Sequence, residues 1–80
     1  MGSDDVLYEL RQIVSNVDVD FDDMVVIVTC EPVFRNEVYT LLDEYCRLLP
    51  FDASVDLATD STVIVSTNSE DFLFELFEQL

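Results

Sequence analysis

Residues 17–29 read VDVDFDDMVVIVT, four aspartates within six positions and then an unbroken aliphatic run. The Asp-x-Asp-x-Asp spacing at Asp18, Asp20 and Asp22 invites a calcium loop, and the motif's own geometry tests that. An EF-hand loop opening at Asp18 requires Gly at its sixth position for the sharp turn and Glu at its twelfth. Those positions hold Asp23 and Thr29. Val19 and Phe21 are large and apolar, and MVVIVT has the β-branched composition of a strand. The alternation Val17, Asp18, Val19, Asp20, Phe21, Asp22 is the period-two signature of a half-buried strand, with apolar residues on one face and carboxylates on the other. Asp22-Asp23 then reads as a hairpin turn, Met24–Cys30 as the return strand, and no metal is expected.

Outward from this hairpin the pattern changes to helical period. Ser3 followed by Asp4 and Asp5 makes an N-cap with acids in the first turn, after which Val6, Leu7, Leu10, Ile13 and Val14 share one face; a first helix is expected over about 4–15. Pro32 suits a helix's first turn, and Phe34, Val38, Leu41, Leu42, Tyr45, Leu48 and Leu49 trace an apolar stripe that stops at Pro50. The stretch ASVDLATDSTVIVST, residues 53–67, reads as a second hairpin turning at Thr59-Asp60-Ser61. Thr67 with Glu70 suggests a capping box for a last helix, SEDFLFELFEQL, that ends the chain.

Sliding the sequence by 38 positions aligns Val17 with Val55, Asp18 with Asp56, Asp22 with Asp60, Val25 with Val63, Phe34 with Phe72 and Glu37 with Glu75. A duplication of residues 17–42 as 55–80 is therefore expected. The fold class is α+β, a single domain over residues 1–80 in the order αββαββα, its two ββα repeats forming a four-stranded antiparallel sheet packed with helices. Met24–Thr29 and Thr62–Thr67 suit central strands, and the Asp-bearing strands suit the edges, where acids block edge-to-edge association. The helices are expected on the face holding Val17, Val19, Phe21, Val25, Ile27, Val55, Leu57, Val63 and Val65. The other face would then carry Met24, Val26, Val28 and Ile64, an apolar strip that needs a cover from helix 1 or a second subunit. Phe74 is the residue of the last helix expected to stay outside.

An 80-residue chain lies near the lower limit for a core without staples, yet half its residues are apolar and it holds one Gly and two Pro, so it is globular. The apolar run MVVIVTC is too short to span a bilayer, and no basic segment precedes a signal-type apolar stretch; a cytoplasmic location, the host cell cytoplasm for a viral protein, is expected. Val6 stands where the N-myristoylation signal wants Ser or Thr. Cys30 and Cys46 lack a CxxC partner and are expected as free buried thiols. With no histidine and no Gly-rich loop, and with the acids at turns, caps and solvent faces, neither catalysis nor a cofactor is expected.

Charge dominates what remains. Three Arg, no Lys and 18 acids give a net −15, which disfavours direct nucleic-acid and anionic-membrane binding. Salt adaptation would explain absent lysine, but it sits poorly with few alanines and many large aliphatics. The alternative is a basic protein partner. Strand carboxylates two residues apart stand about 7 Å apart, comparable to neighbouring phosphates of one nucleic-acid strand, and the Lys and Arg that pair with phosphates pair with carboxylates too. In charge, size and α/β build the chain resembles the small acidic inhibitors of mobile genetic elements, the DNA-mimic anti-restriction and anti-CRISPR proteins. That resemblance covers no motif and assigns no residue. It implies an acidic protein that inhibits or shields a nucleic-acid-binding partner. The carboxylates expected to bind are Asp18, Asp20, Asp22, Asp23, Asp56 and Asp60. The competing expectation is an apolar interface through Met24, Val26, Val28, Ile64 and Phe74, serving a salt-adapted homodimer or an acidic chaperone or immunity-type protein.

Overall fold

The alternating segments form strands and the 3.6-period segments form helices in the expected order. In the computed structural model, which describes residues 3–49 and 52–80, the elements are α1 (Ser3–Ile13), β1 (Val14–Asp20), β2 (Val25–Cys30), a 3-10 turn (Pro32–Phe34), α2 (Arg35–Leu48), β3 (Ala53–Thr59), β4 (Thr62–Thr67) and α3 (Glu70–Gln79). Pro50 and the side chain of Ser3, to which the sequence assigns a helix stop and an N-cap, lie outside the described part. The strands form one antiparallel sheet in the order β1-β2-β4-β3, so the aliphatic strands are central and the Asp-bearing strands are edges.

Local chemistry explains most element ends. The Asp20 Oδ1 accepts from the backbone N–H of Asp22 at 3.0 Å and of Asp23 at 3.2 Å, an Asx-type turn that closes the first hairpin. Met24 completes that turn at φ 56, the left-handed region that a non-glycine residue enters at some cost. The last helix is capped differently from the expectation. Ser69 is its N-cap and accepts from the Phe72 N–H, while Thr67 ends β4 with its hydroxyl donated to the Asp52 carbonyl and accepting from the Ser69 N–H. The first helix is shorter than its apolar periodicity suggests, since Val14 has already joined β1, with an irregularity in pairing between Val14 and Asn16.

The assignment of faces on β2 is corrected. Val26 and Val28, expected outside, are completely buried, whereas Val25 and Ile27 stand half-buried on the opposite face. The cause is the parity of the turn. A hairpin centred between Asp22 and Asp23 pairs odd residues with even ones, and the observed partners are Val17 with Val28 and Val19 with Val26. Cross-strand partners share a face, so the inward valines of β1 draw Val26 and Val28 inward with them. The second hairpin pairs Val55 with Val65 and Leu57 with Val63, odd with odd, and reaches its tight turn through an irregularity between Leu57 and Thr59. Val63 and Val65 therefore face the helices as expected and Ile64 faces away. Leu57, expected in the core, is 47% exposed next to that irregularity, and Phe21 lies in the first turn rather than in the strand.

One core forms between the sheet and the helices. Val6, Leu7 and Leu10 of α1, Val38, Leu42 and Tyr45 of α2, and Phe72, Leu73 and Leu76 of α3 pack in the same cluster as Val26, Val28, Val63 and Val65. Helix 1 packs on α2 and so does not cover the far side of the sheet. The molecule measures 30 × 30 × 18 Å, a thickness suited to one sheet and one helical layer. Among the described residues no helix covers the second sheet face.

Candidate partner-binding surface

The uncovered face can be read row by row from the register. Across the middle run Asp18, Ile27, Ile64 and Asp56; on one side run Asp20, Val25, Ser66 and Ser54; on the other side Thr29 and Thr62 pair between Asn16 and Thr59. The centre is aliphatic and each edge strand adds carboxylate. Three interstrand gaps separate Asp18 from Asp56, about 14 Å, and one strand repeat separates Asp18 from Asp20, about 7 Å. Asp18 and Asp56 are exposed; Asp20 is half-buried because one of its oxygens holds the turn. The Asp18 Oδ2 accepts from the Asn16 side-chain amide at 3.1 Å, which fixes its direction.

Among the described residues no cation shares this face. The three arginines lie on the helices and are engaged there. Arg11 donates from Nε to the Gln79 carbonyl at 2.6 Å and from Nη2 to the Gln79 side chain at 2.9 Å. Arg47 meets Asp43 at 2.9 Å within α2. Arg35 reaches Asp60 at 3.3 Å, with its Nε buried and unpartnered. The row Asp18–Ile27–Ile64–Asp56 therefore presents uncompensated negative charge at both ends of an apolar centre.

The six expected carboxylates do not form one site. Asp18, Asp20 and Asp56 share the open face. Asp22 and Asp23 stand at the tip of the first hairpin, so the expected Asp18–Asp20–Asp22 row ends at Asp20. Asp60 lies at the opposite end of the sheet, beside Cys30, whose N–H bonds the Ser61 carbonyl, and it is the partner of Arg35. Of the expected apolar interface, Ile64 is on the open face and Phe74 is 51% exposed on α3, while Met24 sits in the turn and Val26 and Val28 belong to the core. Val25 and Ile27 take their place. The parity of the Asp22-Asp23 turn was the signal for them.

The remaining chemistry is sparse. Burial raises the Cys46 thiol to about 11, with Asp43 adding to it. Burial also raises Cys30, partly offset by Arg35. Both thiols therefore stay protonated near neutral pH and are weak nucleophiles. Among the described residues no group of three or more His, Cys, Asp or Glu could hold a metal ion. An open cavity of about 520 Å³ at the first hairpin's end of the sheet is lined by polar groups including Asp23, Asp52, Ser66 and Asn68. No helix among the described residues is long and apolar enough to cross a membrane.

No protein-family profile matches the chain, and neither a curated protein nor a solved structure is significantly similar to it.

Proposed function

We propose that this protein is a non-catalytic acidic binding protein that occupies the basic, nucleic-acid-binding surface of a protein partner and so inhibits or shields it. The observation that carries this reading is the open row Asp18–Ile27–Ile64–Asp56, carboxylates at both rims of a half-buried aliphatic centre with no cation among them. Rim carboxylates accept charge-assisted hydrogen bonds from Arg and Lys, and the aliphatic centre packs on the stems of those same side chains. The net −15 raises the rate at which a basic surface is encountered and penalises acidic or nucleic-acid partners.

Face-to-face homodimerisation is the weaker reading. Stacking two copies would bring a second set of Asp18, Asp20 and Asp56 against the first and double a charge of −15.

The test is competition on a captured partner. A basic protein retained by the wild type should be displaced by DNA or RNA and by rising salt. Asp18→Asn with Asp56→Asn should weaken capture steeply while the fold remains. Capture that ignores both nucleic acid and these substitutions, yet is lost on Ile27→Ser with Ile64→Ser, would assign binding to the apolar centre alone and end the nucleic-acid-surface reading.

A further inference from the structure

The open face spans about 14 Å between edge strands and about 20 Å along a six-residue strand, roughly 300 Å². That is well short of the roughly 800 Å² each partner contributes to a standard interface. A partner therefore extends over an edge, and the two edges differ.

Beside β1 lies an exposed apolar ridge. Phe21 is 42% exposed, Phe74 51% and Phe77 43%, and the Phe21 and Phe74 rings meet at a centroid distance of 4.9 Å. Phe77 and Leu80 line a groove of about 340 Å³ with Val14, Ser15, Asn16 and Val17 of β1. Positions 74, 77 and 80 follow the three-residue spacing that puts helical side chains in one line. The ridge runs along β1 from Phe21, just past its last residue, to Val14, its first. As an edge strand, β1 turns the N–H and C=O of alternate residues outward, where no further strand among the described residues pairs with them. Its free edge is thus bordered by the Phe77 and Leu80 side chains at this groove on the helix side and by Asp18 and Asp20 on the open side.

We propose that this edge takes up an extended segment of a basic protein partner as a fifth strand, its side chains alternating between Arg or Lys and aliphatic. An added strand sends successive side chains to opposite faces. Those on the open side fall across from Asn16, Asp18 and Asp20, where positive charge is favoured and negative charge opposed. Of those between them, the one across from Val17 meets the groove lined by Phe77 and Leu80. The irregularity between Val14 and Asn16 confines regular pairing to Asn16–Asp20, so the complementary stretch is about five residues, a basic-aliphatic alternation of the kind that fits these two periodicities. The same aspartates oppose pairing between two copies of β1, which would set acid against acid. The edge at β3 offers less. Its inward Val55 is buried, its end is irregular at Leu57–Thr59, and Asp56 is its one carboxylate.

This mode rests on the proposed recognition of a basic partner and adds which element binds and what pattern is bound. The probe is the peptide RVRVRVR with blocked ends, titrated into the isotope-labelled full chain, beside two versions N-methylated at every Val or at every Arg. In an added strand one alternate set of N–H groups points at β1 and the other points to solvent. One methylated peptide should therefore bind weaker by on the order of tenfold or more, and the other should bind nearly as the parent. Amide shifts should centre on residues 16–20, Phe77→Ser should weaken binding, and EVEVEVE should not bind. Strand addition is overturned if both methylated peptides match the parent, if RRRRVVV binds equally well, or if no peptide binds. Those three results leave the acidic face itself to be judged by the Asp18 and Asp56 substitutions on the captured partner.

Discussion

Val25 and Val26 are identical side chains on consecutive positions of β2, and only the register separates their fates. Replacing each in turn by Thr keeps shape and β-branching while exchanging one methyl for a hydroxyl. At Val26, fully buried and paired with Val19 and Val65, the exchange loses about 0.8 kcal/mol of apolar transfer and buries a hydroxyl at about 1–3 kcal/mol. The expected total is about 2–4 kcal/mol, a large part of the roughly 4–12 kcal/mol that a chain of this size holds. For a domain this small it corresponds to a fall of about 10–30 °C in Tm. At Val25, half-buried opposite Asp20 and Ser66, the new hydroxyl meets water, and the cost should stay within about 0.5 kcal/mol. Urea titration of both variants and wild type measures this, with an unchanged slope certifying the same unfolding transition. If Val25→Thr costs as much as Val26→Thr or more, β2 faces the other way, the row Asp18–Ile27–Ile64–Asp56 does not exist, and the binding surface proposed from it falls with it.

Ser69→Ala should cost about 1 kcal/mol through loss of the α3 cap, whereas Glu70→Ala should cost less, a pair that separates the observed cap from a Thr67–Glu70 box. Alkaline pH should destabilise the fold in two steps. Cys46 is raised from 9.0 to about 11, and Tyr45 from 10.0 to about 12, by burial first and then by Glu75, Cys46 and Asp4. The folded state holds these protons more tightly, so their contribution is complete below pH 9 and is lost as pH climbs through 11 and 12. Tm measured from pH 7 upward should fall beyond 9, with Cys46→Ala flattening the first limb; a Tm independent of pH to 11 would contradict it. Moderate salt should raise Tm by screening the net −15 over a Debye length of about 8 Å; a fold that forms only near molar salt would favour salt adaptation over partner recognition. Arg35→Gln should change stability by less than about 1 kcal/mol, because the Asp60 carboxylate it meets is 95% exposed.

Element order, strand pairing within each hairpin and the central or edge place of each strand were legible in the chain, because periodicity and turn chemistry act over a few residues. VDVD, residues 17–20, could alternate only as a strand. MVVIVT and TVIVST, apolar at successive positions, suited only strands with neighbours on both sides. The acidity of the edges was equally plain, and so were the two unpaired cysteines. Which face of β2 looked inward was decided by one residue of register. A shift of one exchanges Val26 and Val28 for Val25 and Ile27 without altering composition, and the 38-residue alignment, which sets Val25 on Val63, points to the wrong choice because the irregularity between Leu57 and Thr59 shifts the second hairpin by one residue behind its turn, while the first hairpin keeps its turn's register from Asp20 back to Asn16. The grouping of the carboxylates also awaited the tertiary structure. Asp18 and Asp56 are 38 positions apart and meet on one face only because β2 and β4 pair between them, while Asp22, Asp23 and Asp60, near in sequence to the face residues, are carried to opposite ends by the turns that hold them. Local interactions choose strand or helix residue by residue; burial of one common core chooses the register, and with it the surface that is left outside.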